Sequence, residues 1–187
     1  MIIAFIRQYY SYVNDAYLST LKGKSELHIE MVCLGNICRS PLAAAVLHDR
    51  AASLKHPRIM VSSSGTANYH EGEPAHHLSE RVWSEAGYDY THSARQFRRA
   101  SFESQDLILC MDLTNRAIIK GATDDETFKS KVFLLCQFDP ALADIDPYAP
   151  EAEKLVVPDP WGHEIDAFED VLAMIERAVD GLIARLV

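Results

Sequence analysis

An α/β fold, with a four-stranded parallel sheet flanked by helices on both faces and an extra helical segment in front of it, follows from two features of the chain. Four short apolar runs, LHIEMVCL, RIMVSS, DLILCM and KVFLLC, recur along its length, and segments of helical period separate them. Strands that alternate with helices build a parallel sheet, because each parallel pair needs a crossover long enough to hold a helix.

Ahead of the first run, Ile3, Ile6, Tyr10, Val13, Tyr17 and Leu21 recur at spacings of three and four, with Gly23 as the stop. That is a helical stripe, packed on the domain or on a second copy. Residues 1–26 therefore read as an extension and residues 27–187 as one domain, a division that the length of 187 residues allows. The first strand spans Leu27 to Leu34. A helix follows in PLAAAVLHDRAASL, with Pro41 in its first turn, where a missing N–H costs nothing. The second strand is Arg58 to Ser63, and a glycine closes the next helix, His76 to Gly87. The third strand, Asp106 to Met111, precedes the helix LTNRAIIKG, and Lys131 to Cys136 is the fourth. A polar, proline-containing loop runs from Phe138 to Gly162. The chain ends in a long helix with Phe168, Val171, Ile175, Leu182 and Leu186 on one face.

Composition excludes several classes of partner. The chain is 48% hydrophobic, enough for a core, and carries 18 basic against 27 acidic residues, a net charge of −9. Nucleic acids and anionic membranes demand clustered Lys and Arg, so neither is expected as a partner. The cysteines Cys33, Cys38, Cys110 and Cys136 form no CxxC pairs, and free thiols in a reducing compartment are expected. The opening MIIAFIRQYY is too short an apolar run to span a membrane and lacks the pattern of a signal peptide. A cytoplasmic location is expected.

Chemistry concentrates in VCLGNICRSP, Val32 to Pro41. A loop between a strand and a helix N-terminus aims several backbone N–H groups at one point, and the helix dipole adds positive potential. Gly35 permits backbone shapes other residues resist, and Asn36 tolerates a left-handed conformation. Arg39 offers a planar fork that matches two phosphate oxygens. Cys33 would sit beneath the bound phosphorus, where the helix end and the arginine favour a thiolate. Ser40 could donate a hydrogen bond to that sulfur. The turn is thus a nucleophile seated in an anion site, its floor formed by residues 33–40, Leu34, Ile37 and Cys38 included. It carries neither the dinucleotide nor the P-loop glycine pattern. Two cysteines five apart with no histidine in the turn do not make a zinc site, and no metal is expected.

With these motifs the chain resembles the low-molecular-weight protein tyrosine phosphatase family. VCLGNICRSP covers the family signature, and SSSGTANYHEGEPA, THSARQF, DLILCMD and VPDPWG follow in the family's order and spacing. The resemblance runs from about Leu27 to the end. It implies a flavodoxin-like sheet and a cofactor-free, two-step hydrolysis of phosphotyrosine and aryl phosphates. In that scheme Cys33 becomes a phosphocysteine, Arg39 binds the equatorial oxygens, and an aspartic acid protonates the leaving oxygen. Three Asp-Pro pairs compete for the acid: Asp139-Pro140, Asp146-Pro147 and Asp159-Pro160. Asp159, just before the terminal helix, matches the family's placement, and Trp161 and Tyr69 would wall the substrate pocket. Ser63 and His92, with Asn36 and Ser40, match the residues that support the loop. Cys38 matches the family's second loop cysteine, which implies a reversible disulfide with Cys33. Many relatives carry two tyrosines after the acid's proline. Trp161 and Gly162 stand there in this chain, so control by their phosphorylation is not expected. The implied partner is a phosphotyrosine protein, a tyrosine kinase among the candidates, met by a monomer or weak homodimer. Rival readings are an arsenate reductase of the same fold, a protein arginine phosphatase, and a non-catalytic phosphate-binding module. The first needs a relay of further cysteines, and relatives resembling the second carry threonine where this chain has Ile37.

Overall fold

A computed structural model describes residues 16–187. Four strands, β1 (Glu26–Cys33), β2 (Arg58–Gly65), β3 (Leu107–Cys110) and β4 (Val132–Leu134), form one parallel sheet in the order β2-β1-β3-β4. The register is continuous, from Glu26 opposite Arg58 to Cys33 opposite Gly65, and from Ile29 opposite Leu107 to Val32 opposite Cys110. The chain leaves β1 toward one side of the sheet and returns from β2 to the other. Right-handed crossovers therefore set the helix after β1 on one face and the helix between β3 and β4 on the other. One face carries α1 (Arg39–Ala52), packed against α2 (His77–Glu85) and the terminal α6 (Ile165–Leu186). The short α3 (Ser101–Ser104), then α4 (Leu113–Gly121) and the short α5 (Glu126–Lys129) belong to the second and third crossovers, α4 lying against β3 and β4. The strand order reverses between β1 and β3, so a crevice opens at their carboxyl ends.

The predicted elements appear with shifted ends. Helix α1 starts two residues before Pro41, which stays within the first turn; the first backbone bond of the helix is Leu42 N–H to the Cys38 carbonyl, 3.3 Å. β4 is shorter than the run KVFLLC. Its Leu134 N–H is taken by the Gln137 side-chain oxygen at 2.7 Å, and residues Leu135–Phe138 turn into a 3-10 helix. Cys136 therefore sits in that turn rather than at a strand end. The predicted loop also contains structure: 3-10 turns at Pro140–Leu142 and Pro150–Leu155, with Ala152, Leu155 and Val157 buried.

Of the N-terminal stripe, Ile3, Ile6, Tyr10 and Val13 lie outside the described residues. Residues 16–21 are helical, and Gly23 follows at φ +82°. Leu18 and Leu21 are buried in the core, and the Tyr17 hydroxyl donates to the Asp106 carbonyl at 2.6 Å. This segment thus packs on the domain, just below the start of β3. Among the described residues no helix is long and apolar enough to cross a membrane.

Candidate active site

β1 ends at Cys33 and α1 begins at Arg39, leaving five residues to turn the chain at the mouth of the crevice. Asn36 adopts φ +57°, the left-handed conformation the sequence allowed for. That conformation is held from all sides. Its Nδ2 donates to Ser40 Oγ and to Ser63 Oγ, each at 2.9 Å. Its Oδ1 accepts from the Arg95 N–H at 2.9 Å, and its carbonyl lies 2.7 Å from His92 Nε2. The His76 N–H donates to the Ile37 carbonyl, 2.8 Å, and Ser79 Oγ to that of Cys38, 3.3 Å. The loop's carbonyls are thus drawn outward. The N–H groups of Gly35, Ile37 and Cys38 find no acceptor among the described residues.

Cys33 Sγ lies at the centre. Ser40 Oγ is 3.0 Å from it, and the Asn36 N–H points at it from 3.3 Å. The sulfur thus sits between these two groups, beside the N-terminus of α1. Sulfur and loop form the base of a cavity of about 170 Å³, which Leu34, Gly35, Ile37 and Cys38 also line. Arg39, Tyr69, His70, Asp159 and Trp161 complete the wall. Tyr69 and Trp161 are 73% and 65% exposed, placed to meet a ring entering from solvent. The His70 ring covers Gly35 so closely that a Cβ there would stand 3.0 Å from it.

Arg39 is buried, and both terminal nitrogens of its guanidinium are engaged. Nη1 donates to Asp112 Oδ2 at 2.7 Å and to the Val157 carbonyl at 3.2 Å, and Nη2 to Asp159 Oδ2 at 2.7 Å. Burial opposes its charge, but Cys33, Asp159 and Asp112 outweigh that and hold its proton more tightly than usual. Burial comes first in pushing the Cys38 thiol up to about 12, with the charges of Cys33 and Asp159 adding to it.

Cys33, the loop residues 34–38, Arg39, Ser40, Ser63, Tyr69, His92, Asp159 and Trp161 all converge on this site. Asp146 and Asp139 do not. Asp146 Oδ1 accepts from the Tyr148 N–H, 2.9 Å, as a turn starter. Asp139 is buried, caps Ala141 and pairs with Arg177 Nε at 3.1 Å. Sequence reasoning missed Asp112, Arg95 and Gly65. Asp112 stands just after β3, at the strand end nearest the crevice, and that rule of open sheets marks it. Gly65 ends β2, where an added Cβ would stand 2.6 Å from the Leu34 carbonyl and 3.1 Å from the Asn36 nitrogen.

The family model described as low molecular weight phosphotyrosine protein phosphatase matches residues 28–187. The chain is 40% identical over 157 residues to a low molecular weight protein-tyrosine-phosphatase of Streptomyces coelicolor, covering 83% of this chain and 90% of that one. Its fold superposes on a protein tyrosine phosphatase from Entamoeba histolytica with a TM-score of 0.75 at 30% identity, over 86% of this chain and 96% of that one. It superposes on the YwlE arginine phosphatase from Geobacillus stearothermophilus at 0.70 and 26% identity, over 86% and 92%. A buried sulfur under a tethered loop, at the reversal point of a 2-1-3-4 sheet, is thus accompanied by similarity along nearly the whole described chain: the protein belongs to the low molecular weight phosphotyrosine protein phosphatase family.

Proposed function

We propose that residues 27–187 form a protein-tyrosine phosphatase that hydrolyses phosphotyrosine and other aryl phosphate monoesters through a phosphocysteine intermediate. One arrangement carries this reading: Cys33 Sγ, the Arg39 guanidinium and the Asp159 carboxyl border one cavity, with two exposed aromatic side chains at its rim. The phosphoryl group enters the loop, and its equatorial oxygens meet the N–H groups of Gly35, Ile37 and Cys38. Arg39 leaves Asp159 for two of those oxygens, an exchange of one anion for another. Cys33 sulfur attacks phosphorus in line with the phenolic oxygen. Asp159, released from Arg39, takes up a proton from solvent and passes it to that oxygen. As a carboxylate it then takes a proton from the water that splits the phosphocysteine. Ser40 supports the sulfur as the anion returns.

The substrates we propose are phosphotyrosine proteins in the cytoplasm, a tyrosine kinase among the candidates, with the enzyme acting as a monomer or weak homodimer. An arsenate reductase would need further reachable thiols for its relay. Cys110 and Cys136 are both buried, and burial pushes both thiols up, that of Cys136 to about 12. The likeness to an arginine phosphatase fold favours a second reading, phosphoarginine hydrolysis. Against it stands Ile37, whose side chain lines the cavity and carries no hydroxyl. Turnover of phosphotyrosine, phosphoserine and phosphoarginine peptides by wild type and by Cys33→Ser tests the proposal. Phosphotyrosine alone should be turned over, and Cys33→Ser should abolish it. Preference for phosphoarginine, or turnover of arsenate with thioredoxin and none of p-nitrophenyl phosphate, would overturn it.

A further inference from the structure

Glu30 lies in the middle of β1, the strand that ends in Cys33, and is 0% exposed. Its partners across the sheet are Ser62 on β2 and Ile108 on β3. Its Oε2 has no hydrogen-bond partner. A buried carboxylate with one oxygen unpaired detracts from stability. Nothing in the hydrolytic mechanism uses it.

Its other oxygen has one partner, and that partner leads to the active-site loop. Glu30 Oε1 accepts from Arg95 Nη2 at 2.8 Å. The same guanidinium donates through Nε to the Ser63 carbonyl at 2.9 Å. The Arg95 backbone N–H donates to Asn36 Oδ1, 2.9 Å, and its carbonyl accepts from Gly65 N–H, 2.8 Å. Arg95 therefore touches the two residues, Asn36 and Ser63, whose mutual bond fixes the left-handed turn. Asn36 and Ser40 in turn hold Cys33.

We infer that Glu30, acting through Arg95, is a positioning residue for the phosphate loop. The ion pair fixes where Arg95 sits. With its side chain 44% exposed, Arg95 is otherwise free to swing into water, leaving Ser63 and Asn36 held less tightly. The carboxylate works at the root of the strand that carries the nucleophile, and its cost in stability is offset by a loop that is shaped before the phosphoryl group arrives.

The inference rests on the phosphatase reading for what the loop binds, and its test uses a readout that does not require turnover. Inorganic phosphate affinity by calorimetry, kcat for p-nitrophenyl phosphate and thermal midpoint are measured for wild type, Glu30→Leu, Glu30→Gln, Arg95→Met and the double variant Glu30→Leu/Arg95→Met. Glu30→Leu should weaken phosphate binding and lower kcat by about tenfold each, the loss of a charged hydrogen bond, while melting no earlier than wild type. Glu30→Gln, whose amide oxygen still accepts from Arg95, should stay within about threefold of wild type. Arg95→Met should match Glu30→Leu, and the double variant should be no worse than either, since both break one chain of contacts. Wild-type phosphate affinity in Glu30→Leu would overturn the inference, as would a loss that merely tracks a lower melting temperature. If wild type binds phosphate but hydrolyses no aryl ester, the phosphatase reading fails, while the binding comparison still decides the role of Glu30.

Discussion

Arg39 Nη2 and Asp159 Oδ2 stand 2.7 Å apart, and the same guanidinium holds Asp112 through its other nitrogen. A residue from the first crossover and one from the last loop, 120 positions apart, thus share a single ion pair at the cavity wall. The pair keeps the Asp159 carboxylate beside the cavity. It also separates Asp159 from Asp146, the other aspartate followed by proline and an aromatic residue, which caps its own turn instead. Asp159→Ala should lower kcat by about 10²–10³-fold, the share of a general acid. Binding of inorganic phosphate should persist or tighten, because the anion that competes for Arg39 is gone. Asp146→Ala should leave both unchanged. Steady-state kinetics with phosphate as a competitive inhibitor check all three.

For the loop cysteines we propose a reversible oxidation whose pace the buried Cys38 thiol sets. Peroxide transfers oxygen to the Cys33 sulfur, giving a sulfenic acid; Cys38 sulfur then displaces that oxygen as water and the bridge closes. The Cys38 thiol is buried and held up at about 12, so closure is the slow step and should quicken as pH rises. Mass spectrometry after peroxide should find a Cys33–Cys38 bridge that dithiothreitol reverses. Cys38→Ser should instead carry Cys33 onward to sulfinic acid. A lasting sulfinic acid in the wild type, with no bridge, would count against the pairing.

His92 gives the loop a pH dependence of known sign. Burial holds its imidazole below the ordinary 6.5; the bond to the Asn36 carbonyl opposes this and the Arg95 guanidinium adds to it. The unfolded chain therefore binds a proton at a higher pH than the folded one. The stability contributed by neutral His92 is complete above 6.5 and declines as pH falls below it toward the folded value. His76, also held low by burial and then by His77, adds a share of the same sign. His92→Gln retains a donor for the Asn36 carbonyl and cannot titrate in this range. The fall of its melting temperature on the acid side of 6.5 should be shallower than that of wild type, and an identical slope would remove His92 from the account.

Local patterns could be read from the sequence, and long-range contacts could not. The four apolar runs fix the strands, β3 and β4 being buried throughout and β1 nearly so, while the edge strand β2 leaves Arg58 and Met60 exposed; the turn at Cys33–Arg39 announces itself by residue types within eight positions. Arg39's partners Asp112 and Val157 lie 73 and 118 positions away, and no periodicity links them. Arg95 was visible only as part of a motif, since its role depends on Glu30 across 65 residues. The loop at 138–162 hid its 3-10 turns because they are led by proline and too short to show a repeat. Only family resemblance separates Asp159 from Asp146 in the sequence, because a proline and an aromatic residue follow both.

Gly181 offers a case where helix propensity and packing make opposite predictions. It lies inside α6, buried, where replacing glycine by alanine ordinarily stabilises a helix by about 1 kcal/mol. Here a Cβ would stand 1.9 Å from the Phe138 carbonyl oxygen and 3.0 Å from Pro140 Cδ. The obstacle is backbone, anchored in the 3-10 turn after β4, and it cannot rotate away. Helix and turn must therefore separate, opening the contact that seats the end of α6 on the sheet. Gly181→Ala should destabilise the fold by about 1–3 kcal/mol, as overpacking does, and lower the melting temperature by several degrees. The phosphate loop lies at the other end of the helix layer, so kcat at low temperature should be retained. A variant that melts later than wild type would mean that α6 can shift without cost, and that the close approach at Phe138 does not fix the helix in place.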